Sequence, residues 1–97
     1  MPRFTIDPNL ARNGYTPAAT LAERLGKRLG QIRAMGSDRG GPVRVARDGS
    51  IVYLSLYGLE KLFKQDNNEG AAKTVRSILQ EQLLEYGVAL ARTGDED

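Results

Sequence analysis

Residues 42 to 63, "PVRVARDGSIVYLSLYGLEKLF", constrain the fold more than any other stretch of the chain. Apolar Val43 and Val45 alternate with polar or small neighbours, which is the two-residue period of a strand. The Asp-Gly pair that follows, set between two apolar segments, is a strong short-range signal for a hairpin turn. The apolar run "IVYLSL" predicts the second strand, and a short helix begins after it at Ser55 or Tyr57. We therefore expect an antiparallel hairpin that leads at once into a helix.

Two longer helical patterns flank the hairpin. The first covers 17–35, "PAATLAERLGKRLGQIRAM", with Thr16 as its N-cap and Gly36 at its end. Its apolar residues recur every three or four positions and so share one face: Leu21, Leu25, Leu29 and Ile32. The second pattern covers 72–91 and carries a similar apolar stripe.

These elements predict an α+β fold, with a small antiparallel sheet, helices packed on it and a C-terminal amphipathic helix. A further short strand is predicted over 3–7, and 8–15 is predicted to be a loop. The polar segment 65–71 is the predicted hinge of the molecule. It separates an N-terminal domain over 1–64 from a C-terminal segment over 72–97.

The chain contains no cysteine and no histidine among its 97 residues. Disulfides, the usual zinc sites and Ser-His or Cys-His catalytic arrangements are therefore excluded. The carboxylates are scattered, and "GSDRGGP" lacks the Lys-Ser/Thr of a phosphate-binding P-loop. We predict no enzymatic activity, no cofactor and no bound metal. No apolar run approaches the roughly 18 residues of a membrane span, and "MPRFTIDPNL" lacks an apolar signal core, so a cytoplasmic location is expected.

Charge is unevenly distributed along the chain. Residues 1–64 carry eleven basic and five acidic side chains, a net charge of +6, whereas 65–97 carry three basic and seven acidic ones, a net charge of −4. The basic part favours a polyanion such as DNA, and the acidic part favours a basic protein. The predicted DNA-binding residues are Arg47, Arg24, Lys27, Arg28 and Arg44. The predicted partner-binding residues form the stripe of the last helix: Val75, Ile78, Leu79, Leu83, Tyr86 and Leu90.

The segment "LAERLGKRLGQIRAMG" followed by "PVRVARDGSIVYLSLYGLEKLF" resembles the Phd/YefM family of antitoxins from type II toxin–antitoxin systems. The resemblance covers about residues 17–64. The positions that carry it are Pro42, Val43, Val45, Arg47, Gly49, Val52, Leu54, Ser55, Leu56, Glu60 and Leu62. The chain departs from the family pattern in its longer N-terminus and in the additional "GSDRGG" loop.

The resemblance implies a homodimer that binds operator DNA and represses its own operon. It implies that the second hairpin strand builds the sheet of the dimer, and that the C-terminal segment wraps a cognate toxin and becomes ordered on binding. Arg47 matches the arginine with which the family contacts DNA. Arg24 is the nearest match to a second family arginine early in the first helix.

Three alternatives remain open on the residues alone. One is a winged helix-turn-helix regulator of the excisionase or MerR-like kind, opened by "LAERLG", with the 43–54 hairpin as its wing. Against this alternative, the segment "KRLGQIRAMG" lacks a clear turn before a recognition helix. Another is a ribbon-helix-helix regulator with "IVYLSL" as the ribbon, which leaves the first long helix unexplained. The last is an interaction protein that does not bind DNA, such as a phage-type inhibitor or adaptor.

Overall fold

The structure, a computed structural model, describes residues 6–88 of the chain. In chain order its helices and strands are α1 (Pro8–Arg12), β1 (Tyr15–Pro17), α2 (Ala18–Leu25), α3 (Leu29–Ala34), β2 (Val45–Asp48), β3 (Ile51–Ser55), α4 (Leu56–Gln65) and α5 (Glu69–Leu83). A 3₁₀ turn, Ser37–Arg39, lies between α3 and β2, and a π-helical turn, Leu84–Val88, continues α5. The predicted α+β class with a small antiparallel sheet is confirmed. Within residues 6–88, no helix is long and apolar enough to cross a bilayer.

The predicted hairpin is confirmed. Asp48 pairs with Ile51, so the loop between β2 and β3 has two residues, Gly49 and Ser50. Gly49 has φ +63°, a left-handed conformation at the first loop position, where a type II′ turn favours glycine. Helix α4 then begins directly after β3, because the Ser55 hydroxyl accepts a hydrogen bond from the Gly58 N–H at 3.3 Å.

Strand β3 is the centre of the sheet, whose order is β1-β3-β2. Tyr15 of β1 pairs with Ser55 on one edge of β3, and Val45 of β2 pairs with Leu54 on the other. Tyr53 and Leu54 point to opposite faces, and both are fully buried. Since both edges of β3 are paired within the chain, the strand has no edge left to form a sheet or ribbon with a second chain.

The single helix predicted over 17–35 is wrong, because it breaks at Gly26. Gly26 has φ +67°, and its N–H bonds to the carbonyl of Glu23, while the Lys27 N–H bonds to that of Ala22 at 2.9 Å. This pair of bonds is the Schellman motif, in which glycine ends a helix because it has no Cβ to oppose the left-handed conformation. Helix α3 starts three residues later with Arg28 as its N-cap.

The N-terminal predictions are wrong where the structure describes them. Residues 3–5 of the predicted strand lie outside the described part, and Ile6 and Asp7 belong to no strand. The predicted loop over 8–15 begins with helix α1. Asp7 caps this helix by accepting a hydrogen bond from the Asn9 N–H at 2.9 Å, and Pro8 occupies its first turn.

One hydrophobic core spans both sides of the predicted hinge. Leu21, Leu54 and Leu59 of the N-terminal part are fully buried in the same cluster as Val75 and Ile78 of α5. Most of the segment 65–71 is helical: Gln65 ends α4, Glu69 begins α5, and the turn between them covers only 66–68, where the Asn68 side chain caps α5 by accepting from the Ala71 N–H. Within the described residues, the two predicted domains therefore form one packed unit.

Candidate nucleic-acid interface

Helices α2 and α3 form a helix-turn-helix, since the break at Gly26 leaves only a three-residue connection between them. Helix α2 is held by Ala18 and Leu21, which are buried. Helix α3 is held by Ile32, its one fully buried side chain. The other residues of α3 are exposed, except for Arg33, which is half-buried.

The outer face of α3 is small and mostly uncharged. Leu29 is 43% exposed, and Gly30, Gln31 and Ala34 are also exposed. Gln31 is oriented through its side-chain oxygen, which accepts a hydrogen bond from the Arg28 N–H at 3.2 Å. Because Gly30 has no side chain and that of Ala34 is small, the backbone of α3 can approach another surface closely.

The hairpin tip lies beside this face. A cleft of about 170 Å³ separates the two, lined by Pro17–Ala19 at the start of α2, Leu29 and Arg33 of α3, and Ser50–Val52 of the hairpin. Arg33 is half-buried there. The start of α2, helix α3 and the hairpin therefore border one continuous surface, although 30 residues of chain separate the first of them from the last.

Arg47 lies in strand β2, paired with Val52, just before the turn of the hairpin. Its Nη2 donates a hydrogen bond to Oδ2 of Asp38 at 2.6 Å. Its side chain is 53% exposed, so it reaches solvent even though it is paired. The ion pair ties the 3₁₀ turn that follows α3 to the hairpin.

The other predicted DNA-binding residues divide into two groups. Arg28 caps α3 and is exposed, Lys27 precedes it and is half-buried, and Arg44 is exposed just before β2. These three lie beside the helix-turn-helix or the hairpin, together with the exposed Arg39 of the 3₁₀ turn. Arg24 lies elsewhere, because its guanidinium is bound to α5.

Arg24 forms two hydrogen bonds to the Glu81 carboxylate, both 3.0 Å long. These bonds raise the pKa of Arg24 and lower the pKa of Glu81. A two-pronged arginine–carboxylate contact is the geometry that guanidinium groups favour. Arg24 thus joins the helix-turn-helix to α5.

The apolar stripe predicted to bind a partner is largely inside the protein. Val75 is fully buried, and Ile78 and Leu79 are 4% and 7% exposed. Leu83 packs against the core as a partly buried residue. Tyr86 is half-buried, and burial together with the nearby Glu85 raises the pKa of its hydroxyl. Leu90 lies outside the described residues.

Sequence reasoning missed the residues that the helix break brings to the surface. Leu29 was assigned to the apolar face of one long helix, and Gln31 and Arg33 were not among the predicted site residues. Gly26 was the available signal, because glycine followed by a polar residue is typical of a helix end.

Comparison with known proteins does not assign the chain to a family. No protein-family model, no curated protein and no solved structure matches the chain. Among residues 6–88, no group of three or more Asp or Glu side chains is placed to hold a metal ion. The function of the chain is therefore inferred from its own residues and their geometry.

Proposed function

We propose that the chain binds double-stranded DNA as a winged helix-turn-helix protein, with α3 as the recognition helix and the β2–β3 hairpin as the wing. One observation carries the proposal: the break at Gly26 makes α3 a separate helix whose exposed face adjoins the hairpin tip. The order of elements supports it, since a strand before the helix-turn-helix pairs with the second strand of the hairpin. On sequence alone, the objection to a winged helix-turn-helix was that no clear turn precedes a recognition helix. The break at Gly26 supplies such a turn.

The recognition helix suits the major groove in size and shape. A helix with its side chains is about 10–12 Å across, which matches the roughly 12 Å width of that groove, and the six residues of α3 extend about 9 Å along it. Residues at the start of a recognition helix contact base edges, and here they are Leu29, Gly30 and Gln31. The Gln31 amide suits an adenine edge, and Leu29 suits a thymine methyl group.

Basic side chains around α3 supply the attraction to phosphate. Arg28 and Lys27 lie at the start of the helix, and Arg39 and Arg44 lie on the connection to the wing. Between residues 27 and 47 the chain has six basic side chains and a single acidic one, Asp38. Each phosphate contact made by such a group adds about 0.9 to the slope of log affinity against log salt.

The experiment is a fluorescence-anisotropy titration of full-length protein with a labelled duplex, first random in sequence and then enriched by rounds of selection. We expect binding that weakens steeply with salt, and a selected site bound more tightly than random duplex. Single-stranded DNA and duplex RNA of the same sequence are the comparison ligands. A folded protein that binds no duplex DNA at low salt would contradict the proposal.

The antitoxin function stays a prediction from the resemblance. Its DNA-binding half uses the same part of the chain as the winged helix-turn-helix proposal. Its toxin-binding half would require a surface other than the buried Val75 and Ile78, or a change of structure that releases α5. Purification of tagged protein from its native host, followed by mass spectrometry, tests whether a small basic protein accompanies it.

A further inference from the structure

The ion pair between Arg47 and Asp38 places a negative charge directly against an arginine of the proposed interface. Asp38 is the only acidic residue between Lys27 and Arg47, and it contacts the one wing arginine that lies within a strand. Among the described residues, the other ion pairs join α2 to α5, lie within α4, or join α4 to α5. Of the ion pairs within residues 6–88, the Arg47–Asp38 pair is the one that joins the turn after α3 to the hairpin.

Stability does not account for this arrangement. Ion pairs with one strongly exposed member contribute little to folding, because water and salt screen them. The Asp38 side chain is 23% exposed and that of Arg47 is 53% exposed. The pair does, however, change what the arginine can do at a DNA surface.

A guanidinium bonded to a carboxylate keeps its own charge and its remaining N–H donors, but the pair as a whole has a net charge near zero. Arginine has five N–H donors, and the structure assigns one nitrogen, Nη2, to Asp38. The paired group is therefore a weak ligand for phosphate, which attracts mainly through charge. It is still a good ligand for a base edge, which is recognised through hydrogen-bond acceptors at defined positions.

We propose that Asp38 is a positioning residue that holds the Arg47 guanidinium for contact with a base edge and prevents it from acting as a general phosphate ligand. The inference rests on the proposed function. In this arrangement the wing recognises a base through Arg47. Asp38 lowers the affinity of the protein for random DNA. The recognised group is a base edge with hydrogen-bond acceptors, adjacent to the bases under α3.

The decisive comparison is Asp38→Asn against Asp48→Asn, with affinity measured on the selected site and on random duplex across a series of salt concentrations. Both substitutions remove one negative charge near the hairpin, and Asp48 is exposed and belongs to no ion pair of the described residues. Asp48→Asn is expected to strengthen binding to both duplexes by a similar factor. Asp38→Asn is expected to strengthen binding to random duplex, steepen the salt slope by about one, and reduce the preference for the selected site by about tenfold.

Selection of sites by the variants provides the second readout. We expect one base position to lose its preference in Asp38→Asn and equally in Arg47→Ala, and the double variant to add nothing at that position. If Asp38→Asn matches Asp48→Asn in slope and site preference, Asp38 is an ordinary surface charge and the inference is wrong. If wild-type protein binds duplex DNA but Arg47→Ala changes no base preference, the inference fails while the proposed function stands. A wild-type chain that binds no duplex overturns both.

Discussion

The side-chain nitrogen of Gln82 lies 2.7 Å from the backbone oxygen of Tyr15, 67 positions earlier in the chain. The same nitrogen also donates to the carbonyl of Ala11 at 3.1 Å. Gln82 is 6% exposed, so one buried amide joins α5 to both α1 and β1. Together with the Arg24–Glu81 pair, this contact makes α5 a structural part of the helix-turn-helix unit.

Replacing Gln82 with leucine should destabilise the whole protein. The substitution removes both hydrogen bonds and leaves buried carbonyl oxygens without that donor, which costs about 1–3 kcal/mol. Urea unfolding followed by circular dichroism measures the change in unfolding free energy. Gln80→Leu is the matched control, because Gln80 lies on the same helix and is exposed. Equal effects of the two substitutions would show that the amide bridge contributes nothing.

Glu60 should make stability depend on pH in the acid range. Its burial opposes ionisation, but hydrogen bonds from Arg76 at 2.7 Å and Lys64 at 3.2 Å outweigh burial and hold its pKa below the ordinary 4.5. A lowered folded-state pKa gives stability that is present above 4.5 and is lost as the pH falls through the folded value.

Glu60→Gln should therefore reduce unfolding free energy near neutral pH, by on the order of 1 kcal/mol, and the difference should shrink as the solution is acidified. Urea titrations at a series of pH values from neutral to below the folded pKa measure this. Glu23→Gln, on the exposed side of α2, is the control. A wild-type minus variant difference that stays constant with pH contradicts the assignment.

Alanine at Gly26 and at Gly30 should act in opposite directions. An added Cβ meets no atom within 4 Å at either position, so the backbone alone decides the outcome. Gly26 has φ +67°, and alanine there should cost about 1 kcal/mol. Gly30 lies within α3 and is not among the residues with positive φ, so alanine should stabilise by about 0.4–1 kcal/mol. Thermal melts of both variants test the helix break directly, since one continuous helix would make both substitutions stabilising.

Arg28→Ala should weaken binding to the selected duplex and to random duplex by a similar factor. Arg28 is exposed at the start of α3, where phosphate contacts orient a recognition helix. We expect the salt slope to fall by about one while the ratio of selected to random affinity is kept. Lys73→Ala, exposed on α5, removes the same charge away from the interface and should leave the slope unchanged. An identical slope change in both variants would argue against the placement of α3 at the DNA.

Local chemistry explains which parts of the fold could be predicted. The hairpin and the start of α4 could be predicted from the sequence, because each depends on neighbours within a few residues. These local features are the Gly49 turn, the alternation in β2 and the Ser55 cap. The candidate site was only partly predictable, because Leu29 and Gln31 reach the surface only if Gly26 ends a helix. A glycine in a helical pattern is either tolerated or a stop, and its left-handed φ is visible only in the structure.

The sequence by itself determined the hairpin, the charge distribution and the absence of cysteine and histidine chemistry, since each follows from residue types and short spacings. Only the tertiary structure decided where the amphipathic stripe of α5 goes. A stripe of Val75, Ile78 and Leu79 requires an apolar surface to cover it, but nothing in its spacing tells whether that surface belongs to another protein or to the same chain. Here the same chain supplies it, because the core beneath the sheet, the Gln82 bridge and the Arg24–Glu81 pair all hold α5 in place.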